Sequence, residues 1–138
     1  MSSQEEGKKS GHDFARLRKD MEDLDYPPNY DFDPETLEPK GDLKERIKCL
    51  RETAPEMMEG SGNFLDVGSN KGFLPLYLRR QFENLTGVEP IQKYVDFSNS
   101  LAEAHGAENV GFVCIDWQYL PVMAMRYVVY CGGVHHHE

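Results

Sequence analysis

Asn63-Phe64-Leu65-Asp66-Val67-Gly68-Ser69-Asn70-Lys71-Gly72 is the stretch at which the chain changes character. Phe64–Val67 is a short run of strand-forming residues, preceded by the breaker Gly60-Ser61-Gly62 and followed by Gly68 and Gly72, so it reads as a strand entering a turn. An apolar helix follows, marked by Leu74, Tyr77, Leu78 and Phe82, with Pro75 tolerable only within its first turn. Leu85–Glu89 reads as a second strand. Pro90 then opens a helix carrying Ile91, Tyr94, Val95, Leu101 and Ala102, closed by Gly106 in C-cap position. Val110–Ile115 is a third strand and Arg126–Cys131 a fourth, joined by Trp117–Met125 with room for a helical turn. Strands alternating with helices imply right-handed crossovers and a mostly parallel sheet in a three-layer α/β/α arrangement. Ligands of such sheets sit beyond the carboxyl ends of the strands, near the switch in strand order.

Upstream the composition differs. Residues 1–60 carry 10 Lys/Arg against 16 Asp/Glu, residues 61–138 only 5 against 8, in a chain of 138 residues and net charge −9. Mean hydropathy is −0.63 although 39% of residues are hydrophobic, so the apolar residues are unevenly spread. Residues 1–40, charged and broken by Pro27, Pro28, Pro34 and Pro39, are expected to be a largely disordered or loosely attached arm. Within it Phe14, Leu17, Met21 and Leu24 recur at helical spacing, which fits either a lid over a partner or substrate or a solvated arm with one apolar stripe. Asp42 followed by Glu45 has capping-box spacing, and Leu43, Ile47 and Leu50 mark one face of a helix over about Leu43 to Glu52. Residues 41–138 are thus the expected domain.

The acidic balance gives no broad footprint for nucleic acid or anionic membrane. No signal segment or run of ~18 apolar residues is present, so the expectation is a cytoplasmic protein. Cys49, Cys114 and Cys131 are odd in number and far apart, which suggests neither a disulfide framework nor a metal site.

Three strand ends carry the unusual residues. Gly68 permits a tight turn, Gly72 lets the helix approach the strand, and the helix start offers N–H groups to a carboxylate or phosphate; an ordinary glycine-containing turn is the plainer reading. Glu89, 21 residues beyond Gly68, is placed to accept from the vicinal hydroxyls of a ribose, or simply to begin a helix with Pro90. Asp116 could accept from the exocyclic amine of adenine, with Trp117 or Ile91 against the ring, or be a loop acid beside a partly buried Trp.

FLDVGSNKG, GVEP, IDWQYLP and RYVVYCGGVHHH, in this order and spacing, resemble the N-terminal, cofactor-binding half of a class I, Rossmann-like methyltransferase that uses S-adenosyl-L-methionine (SAM). The resemblance covers Asn63 to the C-terminus. It implies that Asp66, Gly68, Ser69, Asn70 and Gly72 form the turn around the methionine part of SAM, that Glu89, with Pro90 beside it, holds the ribose, and that Asp116 and Trp117 bind adenine. His135 and His136 resemble the histidines that flank the transferred methyl in small-molecule members, and are candidates for a general base; exposed histidines at a chain end are the alternative. Asn70 departs from the family's usual second glycine, a position it can fill by adopting a left-handed conformation. A nicotinamide dinucleotide fits less well, since its turn needs G-x-G-x-x-G where this one reads D-x-G-x-x-x-G.

The implied activity is methyl transfer to an unidentified acceptor. Against the family the chain reads as truncated after the fourth strand, leaving a sheet edge for the N-terminal arm, a second copy, a partner subunit or a missing segment to cover. A non-catalytic SAM-fold binding or regulatory protein acting with a partner chain is the other reading.

Overall fold

The computed structural model describes residues 14–24, 31–60, 62–119 and 127–130, the last four and Trp117 by their backbone alone. Four strands, β1 (Asn63–Val67), β2 (Asn84–Glu89), β3 (Val110–Cys114) and β4 (Tyr127–Tyr130), form one parallel sheet in the order β3-β2-β1-β4. The chain steps outward from β1 to β3, then returns to the other side of β1. The switch in strand order therefore falls at β1, where the glycine turn begins.

Residues 14–23 form a helix (α1); α2 spans Gly41–Thr53, α3 Pro55–Met58, α4 Phe73–Tyr77 and α5 Gln92–Ala104, with a 3-10 turn at Trp117–Tyr119. The strand period of two divides the sheet. Phe64, Leu85, Val110 and Phe112 face the helices in one large core, whereas Leu65, Val67 and Val88 form a separate small cluster with Ile115. Among the described residues the helices contribute only to the first core. None of them is long and apolar enough to cross a membrane.

The ends of α5 follow from sequence. Gly106 sits at φ +64°, its N–H donates to Glu103 O at 3.0 Å, and Ala107 N–H donates to Ala102 O at 3.0 Å, the paired bonds of a Schellman cap. The start of α2 does not follow: Lys40 is the N-cap and makes no side-chain cap, so Asp42 and Glu45 form no capping box. Asp42 lies inside the first turn, where its charge favours the helix's positive end. The first helix after β1 is also shorter than expected, ending at Tyr77, with Leu78 as its C-cap and Phe82 beyond it in the core.

The arm requires correction. Residues 14–24 and 31–40, expected to be disordered or loosely attached, are packed: Phe14, Leu17, Met21, Leu24, Phe32 and Leu37 are all buried in the main core. The Phe32 ring lies 5.1 Å from that of Phe73, Phe14 meets His105 edge-on at 4.9 Å, and Phe32 bridges Pro39 to close a short hairpin. Each fully buried side chain of this size contributes about 1.5–3 kcal/mol, enough for one stripe to hold an otherwise charged segment. The charges turn outward and pair, Arg18 with Glu35 at 2.7 Å and with Asp33 at 3.5 Å.

Leu17→Ala is accordingly expected to lower stability by about 2–5 kcal/mol, read as a shifted urea midpoint. An unchanged midpoint would mean that α1 is not part of the cooperative core.

Candidate functional site

Backbone conformation builds the turn after β1. Gly68 (φ +79°), Asn70 (φ +53°) and Gly72 (φ +83°) all lie in the left-handed region, so Asn70 adopts the conformation that stands in for glycine. The N–H groups of Gly68 and Ser69 both donate to Val88 O, at 2.8 and 3.0 Å, which binds the turn to β2. Close approach is obligatory: a Cβ on Gly72 would lie 2.7 Å from Ser98 Oγ, and one on Gly87 would lie 2.5 Å from Phe112 and 2.7 Å from Ser69 Cβ. Ser98, fully buried on α5, donates to Asn70 O at 3.2 Å. No role was read for Ser98 in the sequence. Its signal was a hydroxyl four residues after Tyr94 and three before Leu101, on the apolar stripe.

Glu89 joins the first two strand ends. Its carboxylate is fully buried, with Oε1 accepting from Asn70 N–H at 2.9 Å and Oε2 from Ile91 N–H at 3.2 Å. Asp66, on the same face of the sheet one strand away, is also buried. Burial, reinforced by the Glu89 charge and opposed by Arg46, pushes its pKa up to about 7. Two carboxylates in one dry site cannot both ionise cheaply, and Asp66 is the one held towards its neutral form.

The third strand end is contiguous with the second, because Ile115 N–H donates to Glu89 O at 3.2 Å. Asp116 is half-buried; its Oδ1 accepts from Gln118 N–H at 3.2 Å and its carbonyl from Tyr119 N–H at 2.9 Å, so it organises the 3-10 turn. Pro90 is half-buried and its carbonyl lies 3.4 Å from Cys114 Sγ. Ile91, the N-cap of α5 two residues past the end of β2, is 38% exposed, unusual for an isoleucine. The Trp117 side chain, His135 and His136 lie outside the described residues. Among the described residues no group of three His, Cys, Asp or Glu side chains could hold a metal ion.

Lys71, which received no role in the sequence, is the turn's second tie. It is buried, and its Nζ pairs with Asp31 Oδ1 at 2.6 Å, fastening the 31–40 hairpin to the turn.

Two observations test whether this cradle suits an adenosine-type cofactor. Ser69 Oγ and Asn70 Oδ1 are buried without a hydrogen-bond partner among the described residues, leaving polar capacity in the turn itself. Glu89 places a buried carboxylate at the end of β2, an acceptor group of the kind that the vicinal hydroxyls of a ribose require. The donor and acceptor set fits.

No protein-family model matches the chain, and no curated protein matches it. Solved structures do. YcgJ from Bacillus subtilis overlays with a TM-score of 0.50 at 24% identity, covering 56% of this chain and 32% of that one. PH0226 from Pyrococcus horikoshii OT3 gives 0.50 at 23%, covering 58% and 35%. EvdMO1 gives 0.50 at 22%, covering 78% and 25%. That 78% exceeds the share made up by residues 63–138, so the likeness extends into the preceding segment. The chain spans a quarter to a third of the length of these structures. At such identity the likeness is one of fold, and the fold is the Rossmann-like one that the methyltransferase resemblance implied.

The Asp66 environment sets a pH dependence. Its folded pKa of about 7 lies above the ordinary 3.8, so the folded state holds the extra proton and Asp66 costs nothing below pH 4. Stability falls as pH rises between those values, by up to a few kcal/mol. Asp66→Asn is expected to flatten that fall in urea melts between pH 4 and 7; a parallel pH profile in the variant would show that Asp66 is ionised at ordinary cost.

Proposed function

We propose that this chain binds S-adenosyl-L-methionine and forms the cofactor-binding portion of a SAM-dependent methyltransferase. The observation that carries the reading is the convergence of a left-handed Gly68-Ser69-Asn70-Lys71-Gly72 turn on the Glu89 carboxylate at the strand-order switch. The motif resemblance and the shared fold support it.

In this reading Gly68, Ser69, Asn70 and Gly72 receive the amino-acid end of the cofactor, with the partnerless Ser69 and Asn70 oxygens as hydrogen-bonding groups in the turn. Asp66 stands behind the turn. Glu89 would accept the ribose hydroxyls, Asp116 the adenine amine, and the exposed Ile91 would cover the ring, next to Pro90 and Trp117. When bound, the cofactor supplies a methyl group already activated on a sulfonium. What is asked of the chain is alignment: a rigid turn, a fixed ribose and a fixed adenine aim that methyl in line with the acceptor's nucleophile. His135 and His136 remain the candidates for a base towards a weakly nucleophilic acceptor. The acceptor itself has no assigned residues among those described.

Calorimetric titration of the folded chain should give saturable binding of SAM and S-adenosylhomocysteine but not of NAD. Glu89→Gln, which keeps the shape while exchanging an acceptor for a donor, is expected to weaken both ligands about tenfold, as losing a charged hydrogen bond does. Unchanged affinity would remove Glu89 from the site, and no heat with either ligand would remove the cofactor. Binding with no methyl transfer to any acceptor would favour the non-catalytic, regulatory reading.

A further inference from the structure

At the end of the sheet opposite the glycine turn, where β2 and β3 begin, the 35–37 segment, Tyr77, Arg79, Arg80 and His105 line a cavity of about 280 Å³. We propose that this cavity binds a phosphate group, independently of the cofactor reading.

Three features support it. First, Arg79 and Arg80 stand together, and neither makes a salt bridge among the described residues, in a chain of net charge −9. Burial and the neighbouring Arg80 both hold the Arg79 guanidinium below its ordinary pKa. Adjacent like charges are a standing cost that a bound dianion would relieve. Arg79 uses one donor, Nη1 to Leu76 O at 2.9 Å, and keeps the rest. Glu35, the only acid lining the cavity among the described residues, is already matched by Arg18 at 2.7 Å.

Second, neutral donors are available on the same wall. Thr36 Oγ1 accepts from Glu38 N–H at 3.3 Å, which leaves its own proton to donate. The Tyr77 hydroxyl accepts from Arg51, which leaves its proton likewise.

Third, the wall is built under strain. Leu37 sits at φ +60°, a conformation rare for leucine, in a turn held by Asp33, whose Oδ1 accepts from Glu35 and Thr36 N–H at 2.8 and 3.1 Å. His105 Nε2, 2.7 Å from Pro34 O, fixes the same turn from α5. Guanidinium groups with hydroxyl donors suit phosphate, in inorganic form or as the monoester of a small molecule.

The test uses the full chain at constant ionic strength, with inorganic phosphate, glycerol phosphate and chloride titrated separately by calorimetry. Saturable one-to-one binding of either phosphate, absent with chloride, is expected, and the tighter of the two identifies the source. Arg80→Gln, at an exposed position, should weaken it about tenfold and Thr36→Val severalfold, whereas Lys48→Gln, an equal charge change on the exposed face of α2, should leave it unaltered. Phosphate behaving like chloride, an Arg80→Gln chain that binds as before, or Lys48→Gln weakening binding as much as Arg80→Gln would each overturn the proposal.

Discussion

The Glu89 carboxylate is the constraint on which the arrangement at the strand ends depends. A fully buried carboxylate is tolerable only when its oxygens are satisfied, and here they accept from the N–H groups of Asn70 and Ile91. Those bonds lock the β1 turn, the end of β2 and the entry to α5 into one unit. The left-handed Asn70 presents its N–H to Glu89 and its carbonyl to Ser98, so one strained residue serves two elements. Asp66 bears the electrostatic consequence of sharing this dry site.

Packing supplies the second condition. The turn can reach Glu89 because Gly87 carries no side chain where Ser69 and Phe112 meet, and because Gly72 admits Ser98. On the outer side Lys71 and Asp31 tie the turn to the hairpin, whose Phe32 in turn packs on α4. The N-terminal segment is thus part of the site's scaffold rather than an appendage. The opposite end of the sheet shares only the hairpin and the helices, so its cavity can carry its own chemistry.

Local signals were legible. The strands, the glycine turn, the left-handed role of Asn70 and the Gly106 cap each depend on a few neighbouring residues, and each is found. The misreadings come from non-local partners. Charge and prolines made residues 1–40 look unattached, because a single stripe of Phe14, Leu17, Met21 and Leu24 gives no sign of the surface it meets. Asp42 and Glu45 had the spacing of a cap, but the chain entered α2 two residues too early for it, with Lys40 as N-cap. Ser98, Lys71 and the two arginines acquire meaning only when segments distant in sequence are folded together: Ser98 with Asn70, Lys71 with Asp31, and the arginines with the 35–37 turn.

The most direct measurement is the amide spectrum of the isotopically labelled chain during titration with S-adenosylhomocysteine. If Glu89 and the turn form a cofactor site, the Asn70, Gly68 and Ile91 amides shift together and saturate at one equivalent, while the Gly106 amide at the far end of α5 stays in place. A folded chain in which those three amides do not move would contradict the site as described.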